Sequence, residues 1–360
     1  MIYFDNAATA MIHPVLDERL MDQLHQAFAN PSSLHSVGMA SRKQVERVRG
    51  QIAQLTRVKP KEVIFTSGGT EANNIILQGS LKPGDHLITS AIEHASIHQL
   101  VSKLEGVQVS RITDMTLEGV LAQVRPETRL VSIMHVNNET GQVFDMPDLY
   151  RELNKRNIRL HRDAVQSFGK FPLKGDYDYL SLSGHKLGAF KGTGALIAKQ
   201  PLQPGWYGGD QERGLRPGTE NVPGILSLGL VLEAEAGLMD HRMEHVASLN
   251  QRLRQLLADD TVILSPETAS PYILSLSAPG IPSEVLLNAM SAKQMYFSVG
   301  SACSSRSKHH SHVIAWLTND PELRAGAMRL SLSWQNTWEE VEVFSNQLIE
   351  TIQYLRKVIR

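Results

Sequence analysis

The sequence lacks the features that mark several classes of protein. It contains a single cysteine, Cys303, among 360 residues, so no disulfide can form within the chain. A lone free thiol favours a reducing, cytoplasmic compartment. The basic and acidic residues nearly balance, at 36 and 37, and this balance gives no basic surface for direct binding to nucleic acid.

Long apolar runs are also missing. No stretch approaches the roughly 20 apolar residues that span a bilayer. The first residues, Met-Ile-Tyr-Phe-Asp-Asn, lack the basic start and apolar centre of a signal peptide. No internal repeat, low-complexity tract or flexible linker interrupts the chain. We therefore expect a cytoplasmic protein that needs no membrane and whose lobes pack together.

What the sequence does contain is a regular alternation of strands and helices. Short β-rich runs end in polar or glycine-rich segments, and helical stretches of suitable length separate them. The predicted strands are 63–66, 86–89, 129–134, 158–161, 179–182 and 194–198. The pattern predicts an α/β fold with a mostly parallel sheet, in which ligands bind at the carboxyl ends of the strands.

The helical pattern suggests two domains. A first helix begins near Pro14, with an apolar stripe that recurs every four residues at Leu16, Leu20, Leu24 and Phe28. A long helical stretch from about 223 to 257 leads into a second lobe, which holds strands 273–276 and 328–332 and an amphipathic final helix. We predict a large domain of residues 13–240 and a smaller α+β domain of residues 1–12 and 241–360.

Lys186 is the first candidate for chemistry. It lies in Ser183-Gly184-His185-Lys186, where a predicted strand ends among small residues. Partial burial lowers the pKa of a lysine amine, and such an amine can form a Schiff base with pyridoxal 5'-phosphate. On this motif alone a solvated surface lysine is the alternative.

Three further motifs follow predicted strands. Ser67-Gly68-Gly69-Thr70 begins a helix whose backbone amides can hold an anion. A plain strand–helix turn with no bound anion has the same sequence pattern. Asp163 could keep a pyridine nitrogen protonated or cap a helix. His94, at the start of a helix, could stack on a planar cofactor or be structural.

In this order the motifs resemble those of the pyridoxal-phosphate-dependent cysteine desulfurases, in the class V branch of the fold type I transferases. The resemblance runs nearly end to end. It is carried by residues 3–9 (Tyr-Phe-Asp-Asn-Ala-Ala-Thr), 30–33 (Asn-Pro-Ser-Ser), 65–71 (Phe-Thr-Ser-Gly-Gly-Thr-Glu), 93–94 (Glu-His), 135–141 (His-Val-Asn-Asn-Glu-Thr-Gly), 163–167 (Asp-Ala-Val-Gln-Ser), 183–186 (Ser-Gly-His-Lys), 216–219 (Arg-Pro-Gly-Thr) and 300–303 (Gly-Ser-Ala-Cys).

The resemblance implies a large sheet domain, a smaller domain with the catalytic cysteine, and a role for each matching residue. The catalytic residues would be Lys186, Cys303 and His94. Lys186 would bond the cofactor, His94 would stack on its ring, Asp163 would pair with its pyridinium nitrogen and Gln166 with its phenolic oxygen. The phosphate would be held by Gly69, Thr70, Ser183, Gly184 and His185, joined by Thr219 from the second subunit of a homodimer. Asn138, also beside the cofactor, and Arg329 would bind the carboxylate of L-cysteine.

Cys303 decides which reaction is expected. It lies in Ser298-Val299-Gly300-Ser301-Ala302-Cys303-Ser304-Ser305, a small and polar stretch rather than the apolar run typical of a structural cysteine. A thiolate there can attack the sulfur of bound cysteine, leaving a persulfide on the enzyme and releasing alanine. The resemblance implies transfer of this sulfur to an acceptor protein, for iron–sulfur cluster assembly or for thiolation of tRNA or thiamine precursors.

Some positions depart from the family pattern. Arg162 precedes Asp163 where a small apolar residue is usual, and Phe190 lies in the loop after Lys186. Both put the fine shape of the pocket in question. The tract Lys308-His309-His310-Ser311-His312 has no matching carboxylate or cysteine cluster, so we expect a solvated basic segment or a partner contact and no metal site.

Two rival functions remain open at this point. The first is a related enzyme of the same fold, such as a selenocysteine lyase or an aminotransferase, although Cys303 speaks against the latter. The second is a protein that keeps the fold only to bind sulfur carriers. The intact set of Lys186, His94 and Asp163 argues against the second function. A yellow solution, which shows bound cofactor, would distinguish the enzyme from such a binding protein.

Overall fold

The computed structural model describes residues 1–173, 175–300 and 311–358. These residues form two compact units. The larger unit comprises Met11–His135 and Phe144–Gly237, and the smaller unit comprises Met1–Ala10, Val136–Val143 and the described part of Leu238–Arg360. The domain prediction differs from this division at a few boundary residues and at the segment 136–143, which it placed in the large domain.

A seven-stranded sheet forms the centre of the larger unit. Numbered in chain order through the whole chain, its strands are β2 (Val63–Thr66), β3 (His86–Ser90), β4 (Gln108–Ile112), β5 (Thr128–Met134), β6 (Arg159–Asp163), β7 (Tyr179–Ser183) and β8 (Gly194–Ala198). The spatial order is β2-β8-β7-β6-β5-β3-β4. Only β8 runs antiparallel to its neighbours, so the prediction of a mostly parallel sheet is confirmed, while β4 was not predicted.

Helices cover both faces of this sheet. They are α1 (Val15–Gln26), α2 (Ser36–Thr56), α3 (Gly69–Ser80), α4 (Ala95–His98), α5 (Leu117–Leu121), α6 (Leu149–Asn154) and α7 (Val222–Ala234). Successive strand residues point to opposite faces. Leu180 and Leu182 therefore pack in the core with α1, α2 and α7, while Tyr179 packs with α3 on the other face.

The smaller unit is built around a four-stranded antiparallel sheet. The four strands of this sheet are β9 (Val262–Ile263), β10 (Ile273–Ser277), β12 (Ser298–Val299) and β13 (Ala327–Ser331), and a separate parallel pair consists of β1 (Ile2–Tyr3) and β11 (Met295–Tyr296). The helices of this unit are α8 (Met239–Leu257), α9 (Ser283–Ser291), α10 (His312–Leu317), α11 (Pro321–Ala325) and α12 (Trp338–Val358). The sheet order is β12-β13-β10-β9, and β1 pairs with β11. Phe344 of α12 packs on Phe4, with ring centroids 4.8 Å apart.

The structure differs from the sequence prediction at two helices. The stretch from 223 to 257 is not continuous, because Gly237 takes a left-handed backbone with φ of 78° between α7 and α8. The apolar stripe of the first helix does not reach Phe28, which lies beyond the end of α1 and is 76% exposed. Among the described residues no one helix combines the length and the apolar character that a membrane span needs. Only α7 and α8 together do so, and they meet at an angle of 84°.

A buried ion pair closes the β2 edge of the large sheet. Arg49 and Glu212 form two hydrogen bonds, of 2.7 and 2.8 Å, and both residues are buried. Arg49 also donates to the carbonyl oxygen of Val63, and Glu212 accepts from the backbone N–H of Phe65, both at 2.8 Å. The pair thus occupies the backbone groups that a further strand would use.

Tyr177 joins the sheet to the end of α2. Its side chain is 2% exposed, and its hydroxyl donates a 2.6 Å hydrogen bond to the carbonyl oxygen of Thr56. This carbonyl belongs to the last turn of α2, which has no further residue to donate to it within the helix. The phenol therefore satisfies a buried backbone acceptor.

We expect Tyr177→Phe to lower the free energy of unfolding by about 1–3 kcal/mol, because it leaves that carbonyl without its donor. The matched control is Tyr354→Phe, since Tyr354 is 64% exposed. Urea unfolding followed by far-UV circular dichroism measures both. Equal midpoints for the two variants would contradict the assigned role of the Tyr177 hydroxyl.

Candidate active site

The sheet brings the predicted cofactor residues of the larger unit to one edge. β2, β3, β5, β6 and β7 run in the same direction, so their carboxyl ends lie together. Gly69 follows β2, His94 follows β3, Asp163 ends β6 and Ser183 ends β7. This is the edge at which open α/β sheets bind ligands.

The amino terminus of α3 lies beside the carboxyl end of β7. Gly69 and Thr70 are its first two residues, and their N–H groups have no helical acceptor. A Cβ atom on Gly68 would lie 3.4 Å from Ser183 Oγ, and one on Gly194 would lie 2.6 Å from the Cα of Gly68. The second contact is too short for any side chain at position 194, and the first is an ordinary contact, so Gly68 is favoured by its φ of 150° instead. The free N–H groups at this helix start suit a phosphate.

The turn Gly184–Lys186 follows β7 directly. Gly184 has little space, since a Cβ atom there would meet the Thr193 carbonyl oxygen at 3.2 Å. Burial, and to a smaller extent the charge of Lys186, lowers the pKa of His185 to about 4. At neutral pH His185 is therefore uncharged. Lys186 itself is half-buried.

Asp163 carries a buried carboxylate. It is 5% exposed and accepts hydrogen bonds from Asn73 Nδ2 at 2.8 Å and from the backbone N–H of Val165 at 2.9 Å. Gln166, three residues on, is also buried. A satisfied carboxylate at a strand end fits the ring nitrogen of pyridoxal phosphate, and the donors at α3 fit its phosphate.

Asn73 connects Asp163 to His94 through hydrogen bonds. The sequence alone did not identify Asn73 as a site residue. The second hydrogen of Asn73 Nδ2 goes to Ser96 Oγ at 2.8 Å, and Ser96 Oγ lies 2.8 Å from His94 Nδ1. The backbone N–H of Ser96 also donates to His94 Nδ1, at 3.1 Å, so His94 caps α4, a role that the sequence did not predict. The only signal for Asn73 was its four-residue spacing from Gly69.

Glu93 is a second residue that sequence reasoning missed. It is fully buried, and its Oε1 accepts from Ser90 Oγ at 2.5 Å and from the backbone N–H of Met134 at 3.1 Å. Burial raises the pKa of Glu93 to about 8, so the carboxyl group is mostly protonated at neutral pH. These two hydrogen bonds join the ends of β3 and β5 next to His94.

The smaller unit holds the predicted carboxylate-binding residues. Arg329 is 3% exposed; it donates to Asp5 Oδ1 at 2.8 Å and to the backbone oxygen of Asn138 at 2.9 Å. Its Nε has no hydrogen-bond partner among the described residues. Asp5 was not predicted as a partner. The structure thus brings Arg329 and Asn138 together and leaves one buried donor available for a substrate carboxylate.

Asn138 lies within a rigid turn. Asn137 Oδ1 accepts from the backbone N–H groups of Glu139 and Thr140, at 2.9 and 2.8 Å. Glu139 is buried, which raises its pKa, and accepts a 2.5 Å hydrogen bond from Ser311 Oγ. Cys303, the predicted nucleophile, lies outside the described residues.

The remaining predicted positions lie away from these groups or on the surface. Arg162 points to the face of β6 opposite Asp163 and donates to the carbonyl oxygen of Phe144 at 2.9 Å. Phe190 is 37% exposed, and Thr219 is exposed on the turn before α7. Among described residues no group of three His, Cys, Asp or Glu side chains is arranged for a metal; His309 and His310 lie outside them.

Comparison with known proteins identifies the family. The family model for class-V aminotransferases matches residues 2–344. A putative cysteine desulfurase of Bacillus subtilis is 35% identical over 98% of this chain and 99% of its own length. A cysteine desulfurase of Methanosarcina thermophila is 33% identical over 99% of this chain and 93% of its own length.

Solved structures agree with these relatives. A NifS-like protein superposes with a TM-score of 0.90 at 32% identity, covering 98% of this chain and 99% of the other. A NifS-like protein of Rickettsia africae gives 0.87 at 30% identity, with the same coverage of both chains. The chain therefore belongs to the class-V aminotransferase family, a family of fold type I enzymes that use pyridoxal phosphate.

Proposed function

We propose that the protein is a cysteine desulfurase, which converts L-cysteine to L-alanine and collects the sulfur as a persulfide on Cys303. The observation that carries the proposal is the shared sheet edge of the larger unit. It brings Lys186, the buried carboxylate of Asp163 and the amino terminus of α3 to one place, and relatives called cysteine desulfurases match the whole chain.

The larger unit would hold the cofactor. Bound pyridoxal phosphate supplies an electron sink for a carbanion at the substrate Cα. Lys186 Nζ would bond the cofactor and, once substrate replaces it, take the proton from that Cα. Asp163 would keep the ring nitrogen protonated, Gln166 would donate to the phenolic oxygen, and Ser183 with the amides of α3 would fix the phosphate.

The smaller unit would hold the substrate. Arg329 Nε is a buried donor with no hydrogen-bond partner among the described residues, and a guanidinium binds a carboxylate with fixed geometry. Asp5 and the Asn138 carbonyl hold the two other nitrogens, so the guanidinium plane is set before substrate arrives. The Asn138 side chain would add a second contact to the substrate.

Cys303 would be the nucleophile of the sulfur transfer. Its thiolate Sγ attacks the sulfur of the substrate, a new S–S bond forms and the substrate Cβ–S bond breaks. The electron pair of the broken bond stays on the substrate and is protonated at Cβ. L-Cysteine and the enzyme thiol thus yield L-alanine and the enzyme persulfide, with no external oxidant or reductant.

We propose that the working form is a cytoplasmic homodimer. Thr219 is exposed at a turn that is anchored on both sides: Gly218 N–H donates to Gln211 Oε1 at 3.1 Å, and Asn221 Nδ2 donates to the carbonyl oxygen of Gly192 at 2.9 Å. A fixed, exposed hydroxyl suits a phosphate held by a second subunit. The persulfide would pass to an acceptor protein in iron–sulfur cluster assembly or in thiolation of tRNA or thiamine precursors.

Lys186→Ala is expected to abolish the visible absorbance of lysine-bound cofactor and all alanine formation, because no other amine can take its place. Lys191→Ala is the matched control, since Lys191 is exposed in the same loop. Absorbance spectra and borohydride reduction followed by mass spectrometry measure the adduct. A reducible cofactor adduct that persists in Lys186→Ala would show that another lysine bonds the cofactor.

Cys303→Ser should bind cofactor and L-cysteine with spectra close to those of the unchanged protein, yet form no persulfide and release no alanine. The substitution removes the nucleophile and leaves the electron sink in place. Alanine release and alkylation of the persulfide with mass spectrometry measure the two products. Desulfuration near the normal rate would assign sulfur removal to another group.

Arg329→Gln is expected to weaken L-cysteine binding by about 1.5–3 kcal/mol, the value of a hydrogen bond to a charged group. Asp5→Asn keeps the guanidinium but loosens it, so we expect a smaller loss from that variant. Spectral titration of each holoenzyme with L-cysteine gives the dissociation constants. An unchanged constant in Arg329→Gln would show that the arginine does not contact the substrate.

A further inference from the structure

The polar hydrogens between Ser132 and His94 have a single consistent direction. The fixed point is the carboxylate of Asp163, whose two oxygens accept hydrogen bonds from Asn73 and from the backbone N–H of Val165. The Asn73 atom that faces it at 2.8 Å must therefore be Nδ2, and the opposite amide orientation would put two acceptors together. Asn73 Oδ1 consequently faces Ser181 Oγ, 2.5 Å away, and must accept.

On one side of Asn73 the direction follows from a buried histidine. Ser181 gives its hydrogen to Asn73, so His161 Nε2, 2.7 Å from Ser181 Oγ, must be the donor. Burial lowers the pKa of His161 to about 3, which leaves the ring one N–H. His161 Nδ1 then accepts from Ser132 Oγ at 2.9 Å, so every group in this part is satisfied.

On the other side the chain ends at His94. Ser96 Oγ accepts from Asn73 Nδ2, and its own hydrogen is directed at His94 Nδ1, 2.8 Å away. The backbone N–H of Ser96, which can only donate, points at the same nitrogen. Two donors at Nδ1 require that this atom carries no proton.

We propose that Ser96 and Asn73 are positioning residues that hold His94 as a neutral imidazole with its proton on Nε2. In this state Nε2 is a hydrogen-bond donor and cannot accept a proton. His94 would thus stack on the cofactor and donate a hydrogen bond in the resting enzyme, and it would not act there as a general base. The inference rests on the proposed function in one respect only, which is that the group facing His94 is the cofactor.

The state of His94 can be read directly in the full-length protein, with and without cofactor. Two-bond ¹H–¹⁵N correlation spectra of histidine-labelled protein separate protonated from unprotonated ring nitrogens, and His94→Gln assigns the signals. At neutral pH we expect an unprotonated Nδ1 and a protonated Nε2. A proton on Nδ1, or a charged ring, in the unchanged protein would overturn the proposal.

Ser96→Ala and Asn73→Ala test the two positioning residues. Ser96→Ala removes the side-chain donor at Nδ1, so a part of the His94 population should move its proton to Nδ1, while cofactor affinity changes less than twofold. Asn73→Ala should move the equilibrium in the same direction by a smaller amount, and should also weaken cofactor binding about fivefold, the value of one lost hydrogen bond to Asp163.

Asn74→Ala is the matched control, because the Asn74 amide bonds to Thr70 and Gln78 of its own helix; neither readout should change. If Asn73→Ala does not fold, Ser96→Ala decides. Unchanged His94 signals in the folded positioning variants would overturn the proposal even if cofactor affinity falls. Failure of the unchanged protein to bind cofactor or form alanine would count against the proposed function, and the apoprotein spectra would still decide the state of His94.

Discussion

The buried carboxylate of Asp163 is the constraint on which the polar interior of the larger unit depends. A carboxylate away from bulk water needs hydrogen-bond donors around it, and here they are the Asn73 amide and a backbone N–H. Because the carboxylate fixes the orientation of the amide, it also fixes the hydroxyl and imidazole hydrogens on β5, β6 and β7. One carboxylate therefore orders side chains on three strands and two helices.

The smaller unit satisfies its buried charge separately. Arg329 is paired with Asp5 and with the backbone of Asn138, which are far apart in the sequence and meet because β13 bridges to the amino-terminal segment at Asp5 and Ser331. The chain thus assigns proposed cofactor binding to one unit and proposed carboxylate binding to the other. Each site is fixed by hydrogen bonds within its own unit.

The sequence was sufficient to predict six of the seven strands of the large sheet and to place motif residues at their ends. Strand length, apolar runs and motif order are local properties of a sequence. It did not identify β4, whose residues are partly exposed at an edge, or the break between α7 and α8, where Gly237 lies among good helix formers. Asn73 and Asp5 were missed for another reason. Each acts through a partner that is remote in sequence, and pairings of this kind have no local signature.

The ion pair at β2 also has a consequence for the behaviour of the chain at high concentration. An open strand edge is a template on which another chain can add a strand, the first step of many aggregates. Here Arg49 and Glu212 already occupy the Val63 carbonyl and the Phe65 N–H. Charged side chains thus protect this edge of the sheet against edge-to-edge self-association, with no need for a further strand.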